Sequence, residues 1–378
     1  MTAELDNLLT AIVRGDAADD RLAAVDVASF CDRANYHGVL PLVADRLARS
    51  PERGSPLCEV LHQHARDAIA ADLVRTRELG VALEAFARAG VKVLLLKGEQ
   101  VAHRWYERPD LRPRLDTDLL IAHDARASAA AVLASLGYEP AGHITGELLN
   151  YQGIFIKWRD GKKSHVVDVH WRVVNPQVFA GLLSYEELAS DAAPIPALGP
   201  GARGIASPAA LLLACVHRVA HHFDSDRLIW LYDIHLIAST LTTAEWTQFV
   251  DLAVDRRVAA ICWRSLDLAR EKFGTAIPDA VSMDARLRAP AVREATAVYL
   301  TPGRTPLQNV ANDLQALPTW RDRLALMRQH LFPSRRYMRE VYALSSRVPL
   351  PLLYATRVVR GARRWLVRLP VNDASRIR

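Results

Sequence analysis

Two short apolar runs, joined by a glycine turn and a helical stretch, constrain the fold of this chain most strongly. The first run, VKVLLL, is rich in β-branched residues and leucine and ends at Lys97-Gly98. The second run, LDTDLLI, carries Asp116 and Asp118. Because side chains on a strand alternate between its two faces, acids spaced by two residues point the same way. The pattern predicts buried strands with a carboxylate pair on one face.

The chain beyond this pair predicts further strands of the same sheet. Residues 153–159 and 164–172 are two strand-like runs on either side of an Asp-Gly turn. An Asp-Gly pair between such runs is typical of a tight β-hairpin. Asp168 and His170 then share one face of the second strand. We expect His170 to pack within the sheet, with hydrogen bonding to Asp168 as the less favoured alternative.

Three domains are predicted from the distribution of helical and strand-like patterns. Residues 1–90 have helical periodicity, residues 91–190 alternate between strands and helices, and residues 205–378 are mainly helical. A Pro/Gly/Ala-rich segment at 190–204 separates the last two. The predicted fold class is therefore α/β (α+β), in which a small mixed sheet carries N-terminal helices and a larger C-terminal helical domain.

The composition is typical of a globular protein, and we expect a cytoplasmic location. The 378 residues are 50% hydrophobic and 24% charged, enough to bury a large core. No run reaches the ~18 apolar residues of a membrane-spanning helix, and the first residues do not resemble a signal peptide. The four cysteines are scattered without a CxxC pair, which indicates neither a disulfide framework nor a zinc site.

The net charge of +6 is concentrated at the C-terminal end. Residues 351–378 contain seven arginines and a single acid, so the rest of the chain is formally neutral. Nucleic acid is therefore not an expected partner, because binding it requires basic residues spread along a face or groove. We favour a C-terminal helix docked on the body with a solvated basic face over peripheral contact of this tail with anionic lipid.

The order of the motifs resembles a known family. Lys97-Gly98, a helix, Arg112, the DTDLLI strand and the later VVDVHW strand resemble the uncharacterised nucleotidyltransferase family of the polymerase-β-like nucleotidyltransferase superfamily. The superfamily pattern is Gly-Ser, then Asp-x-Asp or Asp-x-Glu, then a third acid on a later strand. The resemblance implies that Asp116, Asp118 and Asp168 are the catalytic, metal-binding acids.

The resemblance also implies a reaction and its cofactor. A nucleoside monophosphate would move from an NTP to a hydroxyl or phosphate on an unidentified small molecule, peptide or protein, with Mg²⁺ or Mn²⁺ bound by the acids. Lys97-Gly98 replaces Gly-Ser and would hold phosphates through backbone N–H groups and the lysine cation. Arg112 would brace the phosphates or a carboxylate. Arg114 is expected to face solvent.

Three further residues are secondary candidates for nucleotide binding. His217 and His221 are four residues apart on a predicted helix, a spacing that occurs in metal sites but more often in ordinary helices. Asp233 lies in the apolar helix LIWLYDIHLIA and needs a partner. That partner could be either histidine, or a base or ribose. The alternative to an enzyme is a non-catalytic member of the same fold that binds a nucleotide or a partner protein.

Overall fold

The computed structural model describes residues 2–16, 22, 25–49, 56–141, 148–290, 293–342 and 348–366, and within the last helix it describes side chains only as far as residue 359.

Among the described residues, four helices precede the sheet, as the periodicity of residues 1–90 predicts. The second begins where the Asp26 side chain accepts a hydrogen bond from the Ser29 N–H at 2.9 Å, and it ends at Gly38, whose φ of 71° is left-handed. The helices are α1 (Thr2–Arg14), α2 (Val27–His37), α3 (Leu40–Ala48) and α4 (Pro56–Arg88).

A seven-stranded mixed sheet forms the centre of the molecule, and in the described part of the chain three α-helices lie between its strands. Its spatial order is β3-β4-β5-β2-β1-β7-β6. The pairs β5/β2 and β1/β7 are parallel, and the other neighbours are antiparallel. The elements are β1 (Val93–Leu95), α5 (Lys97–Arg104), β2 (Thr117–Ile121), α6 (Arg126–Ser135), β3 (Tyr138–Pro140), β4 (Gln152–Arg159), β5 (Lys162–His170), α7 (Tyr185–Ser190), β6 (Ala193–Pro194) and β7 (Arg203–Gly204).

The predicted strands are present with shifted ends. β2 begins at Thr117 rather than at residue 115, so Asp116 lies in the bend before the strand and does not share its alternation. The hairpin between β4 and β5 turns at Asp160 and Gly161, both with positive φ, as an Asp-Gly turn predicts. The short strands β3, β6 and β7 were not predicted, because two or three residues carry too little pattern.

The two faces of the sheet pack against different helices. Leu119 and Ile121 join a core formed with α4 and α6, whereas Leu120 joins the larger core that contains the C-terminal helices. In β2, Asp118 is therefore on the Leu120 side. Asp118 lies directly beside Asp168 in the parallel pairing of β2 with β5. The alternation thus turns both acids toward the helical half of the molecule.

Ten helices follow the sheet in the described part of the chain. The third of them begins with the capping box of Thr242 and Glu245 that is present in the sequence. The helices are α8 (Ser207–Ala220), α9 (Leu228–Ala238), α10 (Thr243–Asp255), α11 (Ala259–Phe273), α12 (Asp279–Ser282), α13 (Ala285–Arg288), α14 (Pro306–Ala316), α15 (Trp320–Leu331), α16 (Arg335–Tyr342) and α17 (Leu350–Leu366).

The predicted division into three domains stays a prediction. The segment 190–204 contributes β6 and β7 to the edge of the sheet. Residues 367–378 of the basic tail, and its side chains from residue 360 onward, lie outside the described residues. In the described part of the tail, Arg357 of α17 donates a hydrogen bond to the His330 carbonyl of α15 at 3.1 Å. Among the helices that are described, none has the length and apolar character needed to cross a bilayer.

Candidate active site

A cavity of about 630 Å³ lies between the acid-bearing face of the sheet and the helices α8 and α9. Its lining includes every candidate from the sequence except His170: Lys97, Gly98, Arg112, Asp116, Asp118, Asp168, His217, His221 and Asp233. Residues from both halves of the chain therefore meet around one space. A volume of this size is typical of sites for small molecules and cofactors.

Two of the three predicted acids form a compact cluster. One ligand atom from each of Asp118, Asp168 and His170 lies within 4.8 Å of the others. The two carboxylates meet because β2 and β5 are parallel neighbours in register. Asp116 lines the same cavity but is not a member of this cluster, because it precedes the strand.

Lys97 supplies a cation to this cluster. Lys97 is the first residue of α5, just after β1, and its φ of 46° is left-handed. The ammonium Nζ donates a hydrogen bond to Asp118 Oδ1 at 2.7 Å. Burial by itself would raise the pKa of Asp118, but Lys97 and His170 outweigh it and hold that pKa well below its usual range. Asp118 is therefore ionised at neutral pH.

His170 binds the acid on the neighbouring strand. Its Nε2 lies 2.7 Å from Asp118 Oδ1 and 3.4 Å from Lys97 Nζ. The sequence favoured packing within the sheet, and His170 is buried there. The structure adds a hydrogen-bond partner, Asp118, that the sequence did not indicate. The reason is the register, which places His170 diagonally across from Asp118 on the same face.

Asp168 is positioned by a residue that the sequence did not single out. Gln152 Nε2 donates a hydrogen bond to Asp168 Oδ2 at 2.9 Å. Gln152 begins β4 and is paired with His170 in the antiparallel register. Asn175 lines the cavity beside them. An amide in a strand carries no chemical signal, so only the pairing of β4 with β5 could identify it.

Arg112 and Asp233 form a bidentate ion pair. Arg112 Nη2 and Nε lie 2.6 and 2.9 Å from the two Asp233 oxygens, and the Tyr106 hydroxyl donates to Oδ1 at 2.9 Å. Although burial lowers the pKa of Arg112, Asp233 more than offsets this and raises it. Neither histidine is the partner of Asp233. The sequence predicted that Arg112 braces either phosphates or a carboxylate, and the carboxylate contact is present in the structure.

Gly98 allows this arginine to approach the start of α5. A Cβ on Gly98 would lie 2.5 Å from Arg112 Nη1, closer than atoms pack. A side chain at this position would therefore displace the Arg112 guanidinium, while the φ of Gly98 itself is not left-handed. As a result, Lys97 and Arg112 both lie at the N-terminus of α5, which carries a partial positive charge.

Arg114 is buried rather than facing solvent. Its Nε donates to Glu99 at 3.0 Å, and its Nη2 forms an ion pair with Asp72 of α4. Glu99 is fully buried and also contacts His103 at 3.0 Å. This network connects α4, α5 and the loop before β2, and so fixes the backbone that leads to Asp118.

His217 and His221 form one wall of the cavity. Their ring centroids are 5.1 Å apart, and His222 lies 4.7 Å from His217 and stacks on Trp230 at 3.7 Å. Burial lowers the pKa of His221 to about 3, with Lys97 contributing. The pKa of His217 is lowered well below its usual value by burial and by His222. The imidazoles are therefore neutral near pH 7.

Comparison with known protein families identifies the family of this chain. No curated protein matches the chain. The family described as "Uncharacterised nucleotidyltransferase" matches residues 23–274, about two-thirds of the chain. The matched stretch includes the sheet, both acids of the cluster, Lys97 and the helices α8 and α9. The chain belongs to the uncharacterised nucleotidyltransferase family.

Proposed function

We propose that this protein is a metal-dependent nucleotidyltransferase that moves a nucleoside monophosphate from an NTP to a hydroxyl or phosphate acceptor. The observation that carries the proposal is the register of β2 with β5, which places Asp118 beside Asp168 on the face that lines the cavity. Membership of a nucleotidyltransferase family supports the reaction class. The acceptor needs arguments of its own, because fold does not specify substrate.

The residues of the cluster fit a divalent cation. Asp118 and Asp168 offer carboxylate oxygens, the ligands that Mg²⁺ prefers, and the imidazole of His170 also suits Mn²⁺. The low pKa of Asp118 keeps one ligand charged. Asp116, on the adjoining bend, would supply a further carboxylate. Such an ion would neutralise the triphosphate and lower the pKa of the acceptor hydroxyl.

The protein's own groups bind and orient the triphosphate. Lys97 and the N-terminus of α5 present positive charge beside the acids. Asp233 engages Nε and Nη2 of Arg112, while Nη1 lies beside Gly98 at the start of α5 and donates a long hydrogen bond to the Pro113 carbonyl at 3.4 Å. Gln152 holds Asp168 in place to accept the proton that the acceptor hydroxyl loses.

Calorimetric titration with ATP, GTP, CTP and UTP, each with and without Mg²⁺, tests the proposal. At least one nucleotide should bind the wild type in a Mg²⁺-dependent manner, and Asp118→Asn and Asp168→Asn should eliminate that dependence. Asp255→Asn, at an exposed position at the end of α10, is the matched control and should bind normally.

The same titration distinguishes an enzyme from a non-catalytic protein of the same fold. Binding that is indifferent to Mg²⁺ and to both substitutions would favour a non-catalytic nucleotide-binding protein. Absence of binding by all four nucleotides would contradict both and favour a partner-binding protein. A nucleotide that binds would then be used in labelled form to screen acceptors.

A further inference from the structure

Arg227 is a cation on the cavity wall that lies between two aromatic rings. Its guanidinium carbon is 4.8 Å from the centroid of Trp230 and 5.4 Å from that of Tyr36. It immediately precedes α9, so the partial positive charge of that helix N-terminus adds to its own. Nothing in the sequence distinguished this arginine from the other arginines of the chain.

No carboxylate among the described residues forms an ion pair with Arg227. Its Nε is buried without a hydrogen-bond partner, and burial lowers the pKa of the guanidinium. Three other arginines of similar or greater burial each have an acid: Arg112 with Asp233, Arg114 with Asp72, and Arg218 with Asp224. The buried Arg304 donates instead to the Val298 carbonyl at 3.3 Å. Arg227 is half-buried, and a partly desolvated cation without an anion or a hydrogen-bond acceptor is unfavourable. The lack of an acid beside Arg227 is therefore explained most simply by a ligand that carries its own anion.

A row of rings connects Arg227 with the acid cluster. His221, His217, His222 and Trp230 follow one another at centroid distances of 5.1, 4.7 and 3.7 Å. His221 Nε2 is a second buried atom without a hydrogen-bond partner. Because His217 and His221 are neutral, this part of the wall offers hydrogen bonds and apolar surface but no charge. A triphosphate bound along the histidine wall would have no cation beside it between the acid cluster and Arg227. The wall therefore suits an uncharged part of a ligand better than a triphosphate.

The loop that carries this wall is held in a strained conformation by a buried arginine. Phe223 and Asp224 both have a φ of 56°, an unfavourable region for residues other than glycine. Arg218 is fully buried, forms an ion pair with Asp224 at 2.6 Å, and donates to the Ser225 carbonyl at 3.0 Å. These contacts maintain the conformation that places His222 and Phe223 on the cavity wall.

We propose that Arg227 and this row of rings form the acceptor subsite, and that the acceptor carries an oxyanion, as a phosphate monoester or a carboxylate. This rests on the proposed nucleotidyl transfer. The acceptor hydroxyl lies at the acid cluster, its uncharged part along the rings, and its oxyanion at Arg227. In the reaction the hydroxyl oxygen bonds to the α-phosphorus, the bond to the β-phosphate oxygen breaks, pyrophosphate leaves, and the proton passes to Asp168.

The first test is binding of small oxyanions while a nucleotide occupies its own subsite. Inorganic phosphate and acetate are titrated separately into protein saturated with Mg²⁺ and a non-hydrolysable NTP analogue, and again into protein without nucleotide. Wild type should bind at least one of the two, and the stronger identifies the oxyanion. Arg227→Met should weaken that binding at least tenfold and Arg227→Lys by less, since lysine retains the charge but not the planar fork.

Controls separate this subsite from the nucleotide subsite. The nucleotide analogue should bind Arg227→Met with unchanged affinity, whereas Asp118→Asn should lose the analogue and retain the oxyanion. Arg321→Met, at an exposed position, should change neither. Failure of the analogue to bind wild type would refute the proposed function. Two other outcomes would refute the acceptor subsite alone: unchanged oxyanion binding by Arg227→Met, or no oxyanion binding by wild type.

Thermal stability gives a second, independent test. An arginine retained for a ligand should be dispensable for folding, so Arg227→Met should melt within about 2 °C of wild type or above it. The matched control is Arg218→Met, which removes the partner of Asp224 and should melt clearly lower. If Arg227→Met melts as low as Arg218→Met, the arginine is structural and the assignment is wrong.

Discussion

Lys97 Nζ lies 2.7 Å from Asp118 Oδ1, so the ammonium group at the start of α5 contacts the carboxylate of the acid cluster. The lysine reaches this position from a left-handed backbone conformation, which costs about 1–2 kcal/mol for a residue other than glycine. Strain of this kind persists where the surrounding structure imposes it, and here it directs the side chain from the start of α5 onto β2.

Replacing this lysine should impair the reaction without weakening the metal site. Lys97→Met removes a cation from the triphosphate, and we expect the transfer rate to fall by roughly 100-fold, as for loss of one transition-state donor. Mg²⁺ affinity should not decrease, because Asp118 loses a competing partner. Single-turnover kinetics and Mg²⁺ titration measure the two effects. The exposed Lys92→Met is the control, and equal rates for both variants would contradict the assignment.

Asp116 should matter less for metal binding than Asp118. It lies before β2 and outside the 4.8 Å cluster, so Asp116→Asn should weaken Mg²⁺-dependent nucleotide binding by less than roughly tenfold. Asp118→Asn should eliminate that binding. Calorimetry on the two variants makes the comparison. Equal losses would mean that Asp116 moves into the cluster when an ion binds.

The Arg112–Asp233 pair should behave as a buried ion pair in stability measurements. Asp233→Leu leaves Arg112 without its partner and should lower the free energy of unfolding by about 3 kcal/mol. Adding Arg112→Met should recover most of the loss, as determined by urea denaturation. The more exposed pair of Arg108 with Asp45 is the control, where Arg108→Met should cost less than about 1 kcal/mol. A double variant as unstable as Asp233→Leu would argue against this account.

His221 should make the protein less stable in mild acid. In the unfolded chain its imidazole takes up a proton near pH 6.5, whereas burial delays this in the folded chain to about pH 3. The unfolded chain therefore binds more protons between these values, and the free energy of unfolding falls as the pH is lowered, by at most ~1.4 kcal/mol per pH unit. His221→Gln should reduce this dependence between pH 7 and 5.

Denaturation curves at several pH values measure the dependence on His221. Other buried histidines, including His37 and His165, also have lowered pKa values and should leave part of the slope in place. His62→Gln, at an exposed position on α4, should leave the whole slope unchanged. A slope identical in His221→Gln and wild type would contradict the lowered pKa of His221.

Local patterns in the sequence predicted much of the fold and part of the site. Two-residue alternation identified the core strands and grouped Asp168 with His170, because a side chain's face depends only on its position in its own strand. The same rule failed for Asp116, since β2 begins at Thr117 rather than at residue 115. The capping box of Thr242 with Glu245 and the Asp-Gly turn were also predictable, because each depends on residues close together in the chain.

The sequence by itself determined the family, the mixed α/β fold and the presence of acids on two buried strands. Only the tertiary structure decided which groups meet: Lys97 and His170 at Asp118, Gln152 at Asp168, and Arg112 at Asp233, whereas Arg227 has no acid among the described residues. These contacts depend on which strands become neighbours, on their register, and on how α8 and α9 pack over the sheet. The physical reason is that packing joins residues more than 100 positions apart, as in the Arg112–Asp233 pair, and no local periodicity encodes such a pairing.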